Sequence, residues 1–250
     1  MHRFYLPPEQ CRNSTLELTD NEAHHALRVL RLAPGDAATV LDGAGHTITC
    51  EVAEVSKRTV RLKVKEKTFS PPLPCAITLL QAMPKPKAMD YIVQKATELG
   101  VTRIVPLLTE RVVSQLDERA AAEKAEKLQP VALEAIKQCG SPWLPKIEPP
   151  LLLKKFLERR ETFDLSVVAS LHPGSQHAHK FIEQFQTTHH RLPTTAAAWI
   201  GPEGDFTPAE IELILAGGAH PITLGRLVLR SDTAAIYSLS VLNHELQPTA

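Results

Sequence analysis

Two glycine-bearing bends near the carboxyl end hold the residues best suited to chemistry. The first is Gly201-Pro202-Glu203-Gly204-Asp205-Phe206, set between the apolar run Ala196 to Ile200 and a helix opening at Thr207-Pro208-Ala209-Glu210. Thr207 with Glu210 reads as a capping box and Pro208 suits the first helical position, so the helix start is sharply defined. Glycine lets a ligand approach the backbone. Glu203 and Asp205 place negative charge where a phosphate cradle would need donors, and neither GxxxxGK[ST] nor GxGxxG is present. A nucleotide-dependent oxidoreductase is therefore disfavoured, and the carboxylates suit a cationic ligand such as a sulfonium. The second bend, Gly225-Arg226-Leu227-Val228-Leu229-Arg230, offers apolar side chains and open backbone groups to a flat ring. Ser231 or Asp232 can cap the helix that follows. Either bend alone is also compatible with an ordinary turn before a capped helix.

These bends need a frame. Apolar runs at 76–80, 103–107, 165–169, 196–200 and 222–224 alternate with helical stretches at 89–99, 117–139, 177–185, 208–216 and 232–245. Buried runs alternating with helices predict a mainly parallel sheet covered on both faces, with ligands at the carboxyl ends of its strands. The segment 138–150, rich in proline and glycine, reads as loop. Ahead of residue 72 the texture differs: 39–41, 47–55 and 59–64 read as short strands of a small antiparallel barrel, with Asp42-Gly43 as a hairpin signal. Ser70-Pro71-Pro72-Leu73-Pro74 cannot continue a ladder, which puts a domain boundary between 1–72 and 73–250.

In the strand near Val60, apolar Val60, Leu62 and Val64 alternate with Arg61, Lys63 and Lys65, so the cations share an outer face. His24, Arg28 and Arg31 are spaced to share one face of a helix while Leu27 and Leu30 turn inward. Both faces are basic although the 250-residue chain has a formal net charge of zero, so any polyanionic partner must be argued from local charge. Apolar residues make up 43% and charged residues 22%, which disfavours disorder. No apolar run is long enough to span a bilayer and the start lacks a signal-peptide pattern, so no membrane association and a cytoplasmic location are expected. Cys11, Cys50, Cys75 and Cys139 lack CxxC spacing and suit reduced, structural thiols. His177, His179, His189 and His190 lie without completing ligands, so no metal is expected. Trp143 and Trp199 read as packing residues.

Taken together, Ile200 to Phe206, Thr223 to Ala235 and Gln94-Lys95-Ala96-Thr97-Glu98-Leu99-Gly100-Val101 resemble the RsmE family, the 16S rRNA uridine-N3 methyltransferases. Arg3-Phe4, His24-His25, Val29-Leu30-Arg31, Gly35-Asp36 and Asp42-Gly43 look like the amino-terminal RNA-binding domain of that family, and Glu134 with Gln138 and Pro145-Lys146-Ile147 also fall in its pattern. The resemblance covers nearly the whole chain. It departs in two places: Asp205 stands where the family usually has a second glycine, and Asp232-Thr233-Ala234 stands for Glu-Thr-Ala.

The resemblance implies a C-terminal SPOUT α/β trefoil-knot domain, a smaller N-terminal PUA-like β-barrel domain, and a homodimer. It implies S-adenosyl-L-methionine as cofactor, lying against Leu171, Gly201, Pro202, Glu203, Gly204, Leu224, Gly225, Leu227 and Leu229, and 16S rRNA of the small ribosomal subunit as substrate. It turns the basic faces, with Arg3, His24, Arg28, Arg31, Arg61, Lys63 and Lys65, into expected phosphate contacts. Methylating N3 of uracil means favouring its anion or taking up its proton. Arg230, or alternatively Arg3, suits the first task; Glu203 or Asp232 suits the second. A knotted methyltransferase acting on transfer RNA and a non-catalytic RNA-binding assembly factor are the competing readings.

Overall fold

The computed structural model describes residues 2–84, 86–111 and 118–247. It divides into two compact units, one of residues 1–72 with 133–144 and one of residues 73–132 with 145–250.

The first unit is a five-stranded sheet. Its strands are β1 (His2–Tyr5), β2 (Thr15–Leu18), β3 (Ala37–Leu41), β4 (His46–Val55) and β5 (Val60–Phe69), in the order β1-β3-β4-β5-β2. All pairings are antiparallel except β1 with β3, which is parallel, so the expected antiparallel barrel is a mixed, half-barrel sheet. Alternation works as the pattern requires: Val60 and Leu62 are fully buried with Phe4, Leu18, Val40 and Ile48, while Arg61, Lys63 and Lys65 face outward. Asp42, itself buried, organises the β3–β4 connection: its Oδ1 accepts from the amides of Ala44 and His46 at 2.9 Å, and its Oδ2 meets His46 Nδ1 at 2.7 Å. Gly45, at φ +98°, has Trp143 and Phe69 so close that a Cβ there would lie 2.6 Å from both rings. Trp143 is thus a packing residue of this unit.

Between β2 and β3 lies helix α1 (Asp20–His24), which passes into a single π turn, His25–Val29. The amide of Leu30 bonds the carbonyl of His25, and Arg31 then takes a left-handed φ of +55°. Leu27 and Leu30 pack on the core as their spacing requires. Arg31 does not continue the helix face of His24 and Arg28, because the wider π turn shifts the phase and the helix ends at Val29.

The second unit is a wholly parallel sheet: β6 (Ala76–Ala82), β7 (Arg103–Leu108), β8 (Lys146–Ile147), β9 (Leu151–Leu152), β10 (Leu165–Ala169), β11 (Thr195–Ile200) and β12 (His220–Ile222). The order is β12-β10-β11-β6-β7, with β8 and β9 both paired to β7. Helices α2 (Pro86–Glu98), α3 (Glu118–Cys139, whose residues from 133 on belong to the first unit), α4 (Leu153–Glu158), α5 (Ala178–His189), α6 (Pro208–Ala216) and α7 (Ser231–Leu246) intervene. The predicted start of α3 at Asp117 falls outside the described residues. Central strand β11 is buried from Ala196 to Ile200, as a strand covered on both faces must be. Trp199 within it packs edge-on against Phe156 and donates its indole N–H to Ser166 Oγ at 3.0 Å.

Two differences from expectation bear on the site. The last strand ends at Ile222, so Thr223 and Leu224 belong to the bend rather than the sheet. β8 and β9 arise inside or just after the stretch read as loop, since two-residue strands depend on the edge of β7 rather than on any periodicity of their own.

Candidate active site

At the carboxyl end of β11, Gly201 is required by close approach. A Cβ there would lie 2.8 Å from Asp205 Oδ1 and 3.2 Å from both Asp205 Cα and Phe206 N. The loop curls back because the Asp205 amide bonds the Pro202 carbonyl at 2.9 Å, and Asp205 sits at a left-handed φ of +63°. That conformation favours glycine and tolerates aspartate, whose carboxylate accepts from the Phe206 amide at 2.8 Å. The departure from the family pattern thus keeps the backbone path.

The loop is held from both sides. Thr207 Oγ1 accepts from the Glu210 amide and Glu210 Oε2 from the Thr207 amide, completing the capping box, while Glu210 Oε1 accepts from the amide of Glu110 at 2.9 Å. The buried carboxylate therefore ties α6 to the turn after β7. Arg111 donates to the carbonyl of Gly204.

The second bend follows β12. The Gly225 amide donates to Thr223 Oγ1 at 3.2 Å, and Gly225 takes φ +110°, open to a residue without a side chain. Leu227 and Val228 are then 77% and 78% exposed, and Leu171, after β10, is 66% exposed. Large apolar side chains left this open face a concavity rather than a core.

That concavity holds about 630 Å³ of space, part of it open to solvent, and lies at the carboxyl ends of β10, β11 and β12. Leu171, Gly201, Pro202, Glu203, Leu224, Gly225, Leu227 and Leu229 all line it, with Thr223, Val228 and Ser231 of the second bend and with Ser170, which sequence reasoning did not single out. Gly204 is not among the lining residues; its carbonyl is turned to Arg111. A second cavity shares Glu203 and Ser231 with the first and adds Arg230, Asp232, Lys87 and Ala88. Lys87 had no sequence signal beyond its charge.

The start of α7 differs from expectation. Arg230 occupies the cap position, and neither Ser231 nor Asp232 caps the helix. Ser231 donates instead to the carbonyl of Gly201 at 2.6 Å, and Asp232 accepts from the amide of Thr233 at 2.7 Å. This direct bond joins the two bends, so Gly201 and the chain after Gly225 form one site.

The other predicted residues lie in the first unit. The Arg3 guanidinium donates to the carbonyls of Lys137 and Gln138 at 3.2 and 2.9 Å, a cation on the last turn of α3. Arg61 pairs with Glu54 at 3.1 Å and Lys65 with Glu51 at 2.8 Å, so the outer face of β5 is partly neutralised. Lys63 has no such pair among the described residues, and His24, Arg28 and Arg31 are exposed. His179 lies 3.1 Å from Glu245 and 3.3 Å from Glu183, and no group of three or more metal-ligating side chains occurs among the described residues.

An apolar wall beside exposed backbone polar groups accepts a flat heterocycle, and a carboxylate at its rim accepts a cation. These features lie together at the carboxyl ends of parallel strands, and residues 71–243 match the family model described as an RNA methyltransferase domain. Residues 18–65 match the model for an RNA methyltransferase PUA domain. The chain belongs to the RsmE family of RNA methyltransferases. It is 33% identical over 249 residues to the ribosomal RNA small subunit methyltransferase E of Synechocystis, covering 98% of this chain and 78% of the relative. With the Bacillus subtilis protein of the same name it is 31% identical over 99% of this chain and 98% of the other. Among solved structures, a Legionella pneumophila protein in complex with the cofactor S-adenosylmethionine superposes with a TM-score of 0.85 at 32% identity, over 97% of this chain and 96% of that one. The ribosomal RNA small subunit methyltransferase E of Neisseria gonorrhoeae, bound to S-adenosylmethionine, gives 0.83 at 26% identity, over 98% and 97%.

Proposed function

We propose that this chain uses S-adenosyl-L-methionine to methylate N3 of a uridine in 16S rRNA of the small ribosomal subunit, acting as a homodimer. The observation that carries the reading is the concavity formed by Gly201–Glu203 and Leu224–Leu229, joined by the Ser231 bond to Gly201. Its chemistry fits the cofactor: Leu171, Leu227 and Leu229 supply an apolar bed for adenine, the glycine bends leave backbone groups open for the nucleoside, and Glu203 answers the positive charge. The bound cofactor would supply an activated methyl group on a sulfonium.

The chain's own residues must handle the base. Uracil N3 carries a proton at neutral pH, so the base becomes nucleophilic only as that proton leaves. Arg230, in the cavity next to the cofactor pocket, stabilises charge developing on the uracil carbonyl oxygens, and Glu203, shared by both cavities, takes up the proton. The proposal takes Arg230 as the cation and Glu203 as the base because both line one cavity, with Arg3 as the alternative cation. His24, Arg28, Arg31, Arg61, Lys63 and Lys65 would meet RNA phosphates.

The homodimer and the trefoil knot belong to the same proposal. The chain leaves edge strand β12 and returns as α7 against β11, β6 and α2, and the knot itself is what the family resemblance implies.

The test is incubation with labelled S-adenosylmethionine and small subunits lacking the modification, followed by nucleoside analysis. Wild-type protein should yield 3-methyluridine, and Arg230→Ala should slow its formation by about 100-fold or more, the usual loss for a group that stabilises developing charge. Wild-type turnover by both Arg230→Ala and Arg3→Ala would refute cationic activation by this pair.

A further inference from the structure

The strand β6 reads Ala-Ile-Thr-Leu-Leu-Gln-Ala, and a glutamine near the carboxyl end of a central strand is out of keeping with its apolar neighbours. Gln81 is fully buried. Its Nε2 donates to the carbonyl of Ala82 at 2.8 Å and to Ser231 Oγ at 3.0 Å. Ser231, 6% exposed, donates in turn to the carbonyl of Gly201 at 2.6 Å. Because Gln81 Nε2 is the donor, the Ser231 hydroxyl must accept from it, which directs the Ser231 proton to Gly201. The amide orientation is fixed as well: turned over, Oε1 would face the oxygen of Ala82.

The arrangement is costly for a residue that only fills space. Among the described residues Gln81 Oε1 is buried without a partner, and an unpaired buried carbonyl costs about 1–3 kcal/mol. An apolar side chain of the same length would remove that cost. What the amide provides is directional: it sets which way one hydroxyl points, and that hydroxyl joins the two bends lining the cofactor pocket.

We infer that Gln81 is a positioning residue for the cofactor site, acting through Ser231 to hold the Gly201 bend and the start of α7 in binding register. The inference rests on the reading of that concavity as the S-adenosylmethionine pocket. Gln81 itself does not line the pocket, so its effect reaches the ligand only through Ser231.

The test is the near-isosteric Gln81→Met, alone and with Ser231→Ala, measured for S-adenosylhomocysteine affinity by calorimetry, for melting temperature, and for amide exchange in the unliganded protein. Losing one neutral hydrogen bond predicts affinity weaker by about three- to tenfold. Melting temperature should stay unchanged or rise, and amides of 201–205 and of the first turn of α7 should exchange faster. KM for the cofactor should rise with kcat at saturation nearly unchanged, and the double variant should bind no worse than Ser231→Ala alone. Wild-type affinity and exchange in Gln81→Met would overturn the inference, as would a fall in affinity that merely tracks a fall in melting temperature. If the wild-type protein binds no S-adenosylhomocysteine, the pocket assignment fails instead, and unchanged exchange at 201–205 would then sink the Gln81 link separately.

Discussion

Replacing Gly201 by alanine puts a methyl group in place of a hydrogen at the tightest point of the site. The new Cβ would stand 2.8 Å from Asp205 Oδ1, about 0.6 Å inside ordinary contact, with Asp205 Cα and Phe206 N at 3.2 Å behind it. The carboxylate cannot simply swing away, since it is bonded to the Phe206 amide at 2.8 Å and its residue is already at positive φ. The loop must open, carrying the Gly201 carbonyl off the Ser231 hydroxyl. Overpacking of this kind costs about 1–3 kcal/mol of stability. If that cost falls on the binding-competent form of the pocket wall, S-adenosylhomocysteine binding should weaken by about tenfold, the equivalent of about 1.4 kcal/mol. Gly225→Ala is the control for backbone strain alone: φ is +110° there, yet among the described residues nothing beyond its chain neighbours lies within 4 Å of the new Cβ. Calorimetric titration of both variants, with thermal melts alongside, checks the reasoning. Full-affinity binding by Gly201→Ala would show that the first bend is not part of the binding wall.

Other consequences are separable. The Arg191 guanidinium beside Asp164, with the Thr194 amide and hydroxyl, holds the Asp164 carboxyl well below the usual carboxylate range. The stability this contributes is complete above the ordinary aspartate range of about pH 4 and is lost only as pH falls through the lowered folded value, so Asp164→Asn should lower the urea midpoint at pH 7, and the gap from wild type should begin to narrow below about pH 4 but persist at pH 3. Burial pushes the thiols of Cys11 and Cys50 up to about 11 and that of Cys75 to about 12, whereas Cys139 is exposed. Mass spectrometry after brief alkylation of native protein should therefore find Cys139 modified first, and early labelling of Cys75 would contradict the packing of β6. Arg28→Glu with Lys63→Glu should weaken RNA binding and flatten its salt dependence, and an unchanged salt slope would remove these residues from the contact surface.

Much of the site was legible because it is written in backbone chemistry. The capping box at Thr207 and Glu210 fixed where the first bend had to end, and the alternation from Val60 to Lys65 fixed which side of β5 is wet. Residues whose roles depend on distant partners were not legible. Asp232 reads as a cap, but Arg230 occupies that position and Ser231, which also reads as one, is drawn to Gly201 instead. Arg31 shares a helical phase with His24 only if the helix continues, and the π turn at 25–29 ends it. Gln81 gave one faint signal, a polar side chain among apolar neighbours, whose meaning appears only when Ser231 is brought to it across 150 residues of sequence.

The most direct measurement is a crystal structure of the protein with S-adenosylhomocysteine. Density for the ligand should lie between Gly201–Glu203 and Leu224–Leu229, with the adenine against Leu227 or Leu229. A fully occupied ligand elsewhere on the molecule, with these two bends empty, would contradict the assignment.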